Sequence, residues 1–200
     1  MSYPQIIEDV ITNLSKLPGL GRRSAERMVF WLLSHPPEEA QKMAQSIVRL
    51  KEEMRFCKVC NNFAEGDLCK VCQNPERDGE LVCVVEDPKH LLAIERAGAY
   101  KGKYHVLLGT IAPAEGRGPE DLKVQQLLKR IADGEVQEVV IATDPDNEGE
   151  MTALFLSKIL RDKGVKVSRI GLGLPMGSSV EYADISTLAM SLNARKEMEH

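Results

Sequence analysis

Apolar residues recur at intervals of three and four through the first 55 positions: Ile6, Ile7, Val10, Ile11 and Leu14, then Ala25, Met28, Val29 and Leu32, then Ala40, Met43, Ile47 and Leu50. That period gathers each set on one helix face. LPGLG and HPPEE interrupt it with Pro and Gly, so three helices are expected. From Leu81 the pattern changes to short apolar runs (LVCVV, YHVLL, EVVIAT, VKVSRIGL) alternating with helical stretches (PKHLLAIERAG, EDLKVQQLLKRIADG, EGEMTALFLSKILRDKG). A β-α-β-α-β-α-β order needs crossover connections, which predicts an α/β fold with a mainly parallel sheet and flanking helices. Ligands of such sheets bind beyond the carboxyl ends of the strands. The Gly- and Pro-rich stretch 109–121 reads as a long loop at that end, and residues 186–196 as a closing helix. The chain thus divides into a helical segment 1–55, a cysteine-rich segment 56–80 almost without apolar runs, an α/β segment 81–175, and a C-terminal segment 176–200.

Composition narrows this picture. A chain of 200 residues that is 43% hydrophobic and 28% charged is long enough to bury about 70% of its unfolded surface. Aromatic residues make up 4%, so aliphatic side chains must form the core. There is no run of eighteen apolar residues, and MSYPQIIEDVITN lacks a basic stretch followed by an apolar one. A cytoplasmic protein without membrane association is expected. The net charge of −4 excludes a globally basic nucleic-acid binder, whose affinity rests on phosphate neutralisation. A polyanion site must therefore be local, and Lys16, Arg22, Arg23 and Arg27, with Glu26 alone among them, form the best local patch.

Three constellations carry chemistry. Cys57, Cys60, Cys69 and Cys72 form C-x2-C-x8-C-x2-C, two knuckles that each supply two thiolates to one tetrahedral centre. Four soft ligands with no open position favour structural zinc, with an iron–sulfur cluster as the competing occupant. Cys83, inside LVCVV, reads as a packed core thiol. In LPGLGRRSAER, Gly19 and Gly21 sit between two helices, where backbone N–H groups and the next helix dipole can hold a phosphate without reading a base. A plain helix–helix turn would explain the glycines alone; Arg22, Arg23 and Arg27, supported by Lys16, favour a DNA-backbone contact of the helix-hairpin-helix kind. Finally, Asp144, Asp146, Glu148 and Glu150 crowd the turn from a buried strand into a helix, and Glu86 ends an earlier parallel strand on the same sheet edge. A helix dipole accounts for one or two acids there. Oxygen ligands in this number suit magnesium.

Glu86 together with D-x-D-x-E-G-E resembles the Toprim domain shared by topoisomerases, bacterial primases and some nucleases. The full order of parts (helix-hairpin-helix, four-cysteine zinc motif, Toprim domain, short C-terminal segment and helix) resembles the RecR family of bacterial recombination mediators along nearly the whole chain. The resemblance rests on LPGLGRRSAERMVFWLL, RFCKVC, YHVLLGTIAP, GRGPEDL, EGEMTALFLSKIL and LPMGSSVEYADISTLAMSL. It implies a non-enzymatic DNA-binding clamp in recombinational repair, acting with RecO and RecF to promote RecA loading at gaps. It also implies a homo-oligomer, often a tetrameric ring. By the same resemblance, zinc falls to the four cysteines and DNA to Arg23 and Arg27 with Lys16. Glu86, Asp144 and Asp146 fall on a surface for partner contact or a cation, and GLGLPMGSS resembles a Walker-B-like region. No G-x4-G-K-[ST] loop accompanies that region, so ATP hydrolysis is not expected. The alternative from the same motifs is a magnesium-dependent Toprim phosphodiester enzyme, a small nuclease or primase relative.

Overall fold

The computed structural model describes residues 2–171 and 173–195 and divides the chain into two units at Met54/Arg55. In the first unit, α1 (Gln5–Leu14), α2 (Arg22–Leu33) and α3 (Pro37–Glu53) follow the expected periodicity. Pro36 precedes α3 and Pro37 opens it, a position where the missing proline N–H would have no helical partner anyway. Ile11 of α1 meets Ala25 and Val29 of α2, with Ile7, Leu14 and Leu20 packed around them. The fully buried Ala25 lets the two helices approach closely. The face expected at Met43, Ile47 and Leu50 is present on α3 but points outward, and α3 has no buried residue.

In the second unit, β1 (Arg55–Phe56) pairs antiparallel with β2 (Phe63–Ala64), and α4 (Lys70–Gln73) follows. The periodic pattern did not reveal this ribbon, because two-residue strands carry too few positions to alternate. Then come β3 (Asp78–Val85), α5 (Pro88–Ala97), β4 (Gly102–Val106), α6 (Val124–Ala132), β5 (Glu138–Ile141), α7 (Asn147–Arg161), β6 (Lys166–Arg169) and α8 (Ile185–Asn193). The sheet runs β4-β3-β5-β6, parallel throughout. The expected loop 109–121 is partly ordered by 3-10 turns at Pro113–Glu115 and Pro119–Asp121. The closing helix ends at Asn193, short of the expected 196. Lys196 and the four residues after it, like Leu172 within GLGLPMGSS, lie outside the described residues.

Strand alternation sets the two cores. Val82 and Val84 of β3 face one cluster with Leu127 and Ile131 of α6 and Leu156 and Leu160 of α7. Cys83 and Val85 face the other with Leu91, Tyr104 and Val106, so Cys83 is the packed thiol its context suggested. Burial pushes that thiol up to about 12, which keeps it protonated and inert. Among the described residues no helix is long and apolar enough to cross a membrane.

The cysteine segment closes one edge of the sheet. The amide of Val106 donates to the Cys60 carbonyl (2.8 Å), and the Asn61 side-chain amide donates to the Val106 carbonyl (3.2 Å) and to Gln126 Oε1 (2.8 Å). Unpaired groups of β4 are thereby satisfied rather than left as a template for another strand. Beside this seam, His105 is fully buried and its Nε2 lies 2.8 Å from the Lys123 carbonyl. Nε2 therefore carries the proton of a neutral ring. Burial, aided by nearby Arg130, lowers its pKa from 6.5 to about 4. The unfolded chain then binds a proton that the folded one refuses, so this group's contribution to stability is full above pH 6.5 and is lost as pH falls toward 4. Urea titrations across that window are expected to record a loss on the order of 3 kcal/mol, removed in His105→Gln; an equal slope in both proteins would contradict the assignment.

Candidate nucleic-acid interface and metal centres

The turn between α1 and α2 depends on Gly19, whose φ of +78° is a conformation that side chains disfavour. Gly21 then serves as the N-cap of α2 without any side-chain cap, so the first N–H groups of a twelve-residue helix face outward at its positive end. The arginines above it are not equivalent. Arg22 is held by Glu8 (2.8 Å) and Glu26 (3.2 Å), clamping α2 to α1. Among the described residues neither Arg23 nor Arg27 has an ion-pair partner, and both are exposed. They lie one turn apart on α2. Lys16 donates to Asn13 Oδ1 (2.9 Å) and is likewise exposed.

The four cysteines form one donor set. A sulfur from each of Cys57, Cys60, Cys69 and Cys72 lies within 4.8 Å of the others, and Cys60 and Cys69 are 3.5 Å apart. Sulfurs bound tetrahedrally at about 2.3 Å sit roughly 3.8 Å apart, so the set fits zinc with little rearrangement. Asn61 takes a positive φ of 60° in the first knuckle, and its amide donates to the Cys57 carbonyl (2.9 Å), which turns Cys60 back toward Cys57. Cys69 is the N-cap of α4 and Cys72 lies within it. Hydrogen bonds from Cys60 and Cys72 hold the Cys69 sulfur well below the usual thiol range, a thiolate ready for a metal.

The acidic end follows from topology. The chain leaves β3 for β4 on one side and returns to β5 on the other, so the crevice of the sheet opens at the carboxyl ends of β3 and β5. Glu86 follows β3 and Asp144 follows β5. Glu86 is 8% exposed and accepts from the Asp144 amide (2.9 Å). Burial raises its carboxyl above the ordinary range despite that bond. Gly149 is required for the approach: a Cβ there would sit 2.1 Å from the Asp144 carbonyl oxygen and 2.8 Å from Glu86 Oε1.

The acids that cluster in sequence separate in space. Asp146 caps α7, accepting from the Gly149 amide (2.8 Å). Glu148 accepts from Thr110 (2.8 Å) and faces Arg117 at 3.6 Å, while Glu150 pairs with Arg169 (2.6 Å). Glu86 and Asp144 are instead joined by His90, whose ring nitrogens lie 4.0 Å from Glu86 Oε2 and 3.7 Å from Asp144 Oδ2. His90 was not among the residues singled out in the sequence. The available signal was its place four residues after Glu86, one helical turn onward. The sequence also did not reveal a cleft of about 520 Å³ beside the cysteine segment, lined by Lys58, Lys103, Lys129 and Arg130 with Asp133 and Glu135. Its positive charge is diluted, since Lys58 pairs with Asp67 (2.8 Å).

Family models match this arrangement part by part: RecR helix-hairpin-helix over residues 7–51, the RecR four-cysteine zinc finger domain over 54–74, Toprim domain over 80–171, and RecR C-terminal over 173–196. Recombination protein RecR of Moorella thermoacetica is 46% identical over 199 residues, covering 100% of each chain. The chain belongs to the RecR family. Recombination protein RecR of Acidothermus cellulolyticus and of Streptomyces avermitilis are each 44% identical over 197 residues, 98% of this chain and 99% of theirs. Within the RecR family frame, the zinc-finger match spans all four cysteines, supporting structural zinc, and the helix-hairpin-helix match spans the uncapped turn before α2.

Proposed function

We propose that this RecR-family protein is a non-enzymatic DNA clamp of recombinational repair, acting in the cytoplasm with RecO and RecF to promote RecA loading at gaps. The observation that carries the reading is the glycine-built N-terminus of α2, which has no side-chain cap, with the exposed Arg23 and Arg27, which have no ion-pair partner among the described residues. Such a site grips phosphates through N–H groups and guanidinium forks and reads no base. Gly19 and Gly21 shape it, Lys16 adds charge, and Arg22 holds its two helices together. One copy neutralises few phosphates, so its binding is weak and salt-sensitive. Several copies around one duplex multiply the contact through effective concentration.

A homo-oligomer, in the form of a tetrameric ring, supplies those copies. The apolar residues left outside support it: Phe30, Trp31 and Leu33 on α2, Met43, Ile47, Val48 and Leu50 on α3, and Val180, Tyr182, Ile185 and Leu192 near the C-terminus are all exposed. Glu86, Asp144, Asp146 and Glu148 give the crevice a surface for a partner or a divalent cation, magnesium being an ion that oxygen ligands suit.

Arg23→Ala/Arg27→Ala is expected to weaken binding to gapped DNA by about tenfold or more at 150 mM salt and to flatten the salt dependence by about two phosphate contacts per subunit, while circular dichroism and zinc content stay unchanged. Unchanged affinity in the double variant removes the turn from the account. Cleavage of the same DNA in magnesium, abolished by Asp146→Asn, would replace the clamp with a phosphodiester enzyme.

A further inference from the structure

We propose that Phe56 and Phe63, paired across the β1–β2 ribbon, form a stacking platform for unpaired nucleobases, a contact to DNA distinct from the phosphate grip of the α1–α2 turn. The proposal rests on the DNA reading given above and adds to it the bases, which the turn does not read.

The two phenylalanines lie directly opposite each other in the antiparallel ribbon, so their side chains leave the same face. Their rings are stacked, with centroids 5.8 Å apart and planes inclined by 20°. Phe56 is nevertheless 51% exposed and Phe63 49%. Among the described residues neither ring packs into a buried cluster. The chain has four phenylalanines, and two of them face solvent on a segment whose apolar core is mostly metal ligands. Burial therefore does not account for them. The knuckle between them braces the ribbon: the Cys57 amide donates to the Asn62 carbonyl (2.7 Å) and the Asn61 amide to the Cys57 carbonyl (2.9 Å).

The extent of this surface selects its occupant. A phenylalanine side chain has about 150–250 Å² to bury, so two half-exposed rings offer roughly 200 Å². A stable protein partner covers about 800 Å² on each side. The patch does not spread along the ribbon, because Cys57, Asn62 and Ala64 next to the rings are buried. Val59 and Leu68, the segment's other exposed apolar side chains, line the cleft with Cys72, which neither phenylalanine lines. A flat aromatic surface of this size matches one or two nucleobases, which stack on such rings whatever their identity. Arg55, exposed just before Phe56, carries charge of the sign a nucleic-acid strand requires.

Bases within a duplex stack on one another, whereas the single strand of a gap leaves its base faces open. The turn holds the phosphates of either form; the rings accept only the unpaired segment.

Full-length, zinc-loaded protein is expected to bind gapped DNA more tightly than continuous duplex of the same length. Irradiating that complex with 5-iododeoxyuridine in the gap should join the base to Phe56 or Phe63, read by mass spectrometry of the peptides. Phe56→Leu/Phe63→Leu should lose the cross-link and roughly five- to 150-fold of the affinity for gapped DNA, the worth of one stacked base. Its duplex affinity, zinc content and circular dichroism should stay at the parent level. Phe56→Tyr/Phe63→Tyr, which keeps the π-faces, should retain both the cross-link and the gap affinity.

Parent-level gap affinity in the leucine variant, an equal loss on duplex, or a cross-link confined to other residues would each overturn the platform. A fall in assembly mass by light scattering would overturn it too, assigning the rings to contact between copies. Should the leucine variant lose zinc, the parent's cross-link map and the tyrosine variant decide. Duplex binding without preference for the gap overturns the platform alone, whereas a parent that binds neither DNA overturns the DNA reading as well.

Discussion

Cys60→Ser, or removal of zinc by a chelator, is expected to unfold residues 55–74 and free the outer edge of β4 while the rest of the sheet stays folded. The segment has little apolar packing to hold it: its buried hydrophobic side chains are Cys57, Cys60, Ala64 and Cys69, with Val71 and Cys72 half-covered, beside the buried polar Asn61 and Asn62. Apart from Ala64 and Val71, the core of this segment is its ligands. Metal bound to such a set is worth about 10–16 kcal/mol, far more than burial of one alanine. Cys60 reports on the loss in two ways, because its carbonyl accepts the Val106 amide. Hydrogen exchange should show Val106, Cys57 and Asn61 losing protection together. The Ala142 amide, bonded to the Val84 carbonyl in mid-sheet, should keep most of its own. Parent-level protection at Val106 in Cys60→Ser would contradict a metal-held segment.

Gly149→Ala is expected to destabilise the second unit by about 1–3 kcal/mol and to disorder the crevice. Alanine would ordinarily gain about 0.5–1 kcal/mol over glycine within a helix. Here its methyl would lie 2.1 Å from the Asp144 carbonyl oxygen, a backbone atom that no side-chain rotation can clear. The start of α7 must shift, and with it the Asp146 cap, the bond from Thr143 Oγ1 to the Gly149 carbonyl (2.8 Å) and the bond from the Asp144 amide to Glu86. Gly66→Ala makes the control, since no atom lies within 4 Å of a Cβ there. Urea denaturation comparing the two variants tests the argument, and equal midpoints would reject it.

The sequence disclosed most where a single physical constraint dominates. Alternating apolar runs and helical stretches gave the four parallel strands, and paired C-x2-C spacing gave the sulfur set. It disclosed less where position in space departs from position in the chain. β3 starts at Asp78 rather than Leu81 because pairing with Gly102 extends it, and no apolar residue in DGE announces that. Arg22 looked like one cation of a free patch, yet Glu8, fourteen residues earlier, binds it across the turn. The acids of 144–150 looked like one cluster, but successive residues of a helix start point around its axis. They met different partners, and His90 from another helix took a place between two of the carboxylates.

The third helix has a consequence for the molecule as a whole. A seventeen-residue segment that shelters no side chain in its own chain draws little from tertiary packing, the source of most helix stability in proteins. In the homo-oligomer proposed above, a second copy covering Met43, Ile47 and Leu50 would tie its persistence to protein concentration by mass action. Dilution of such an assembly would loosen this helix before it reached the sheet.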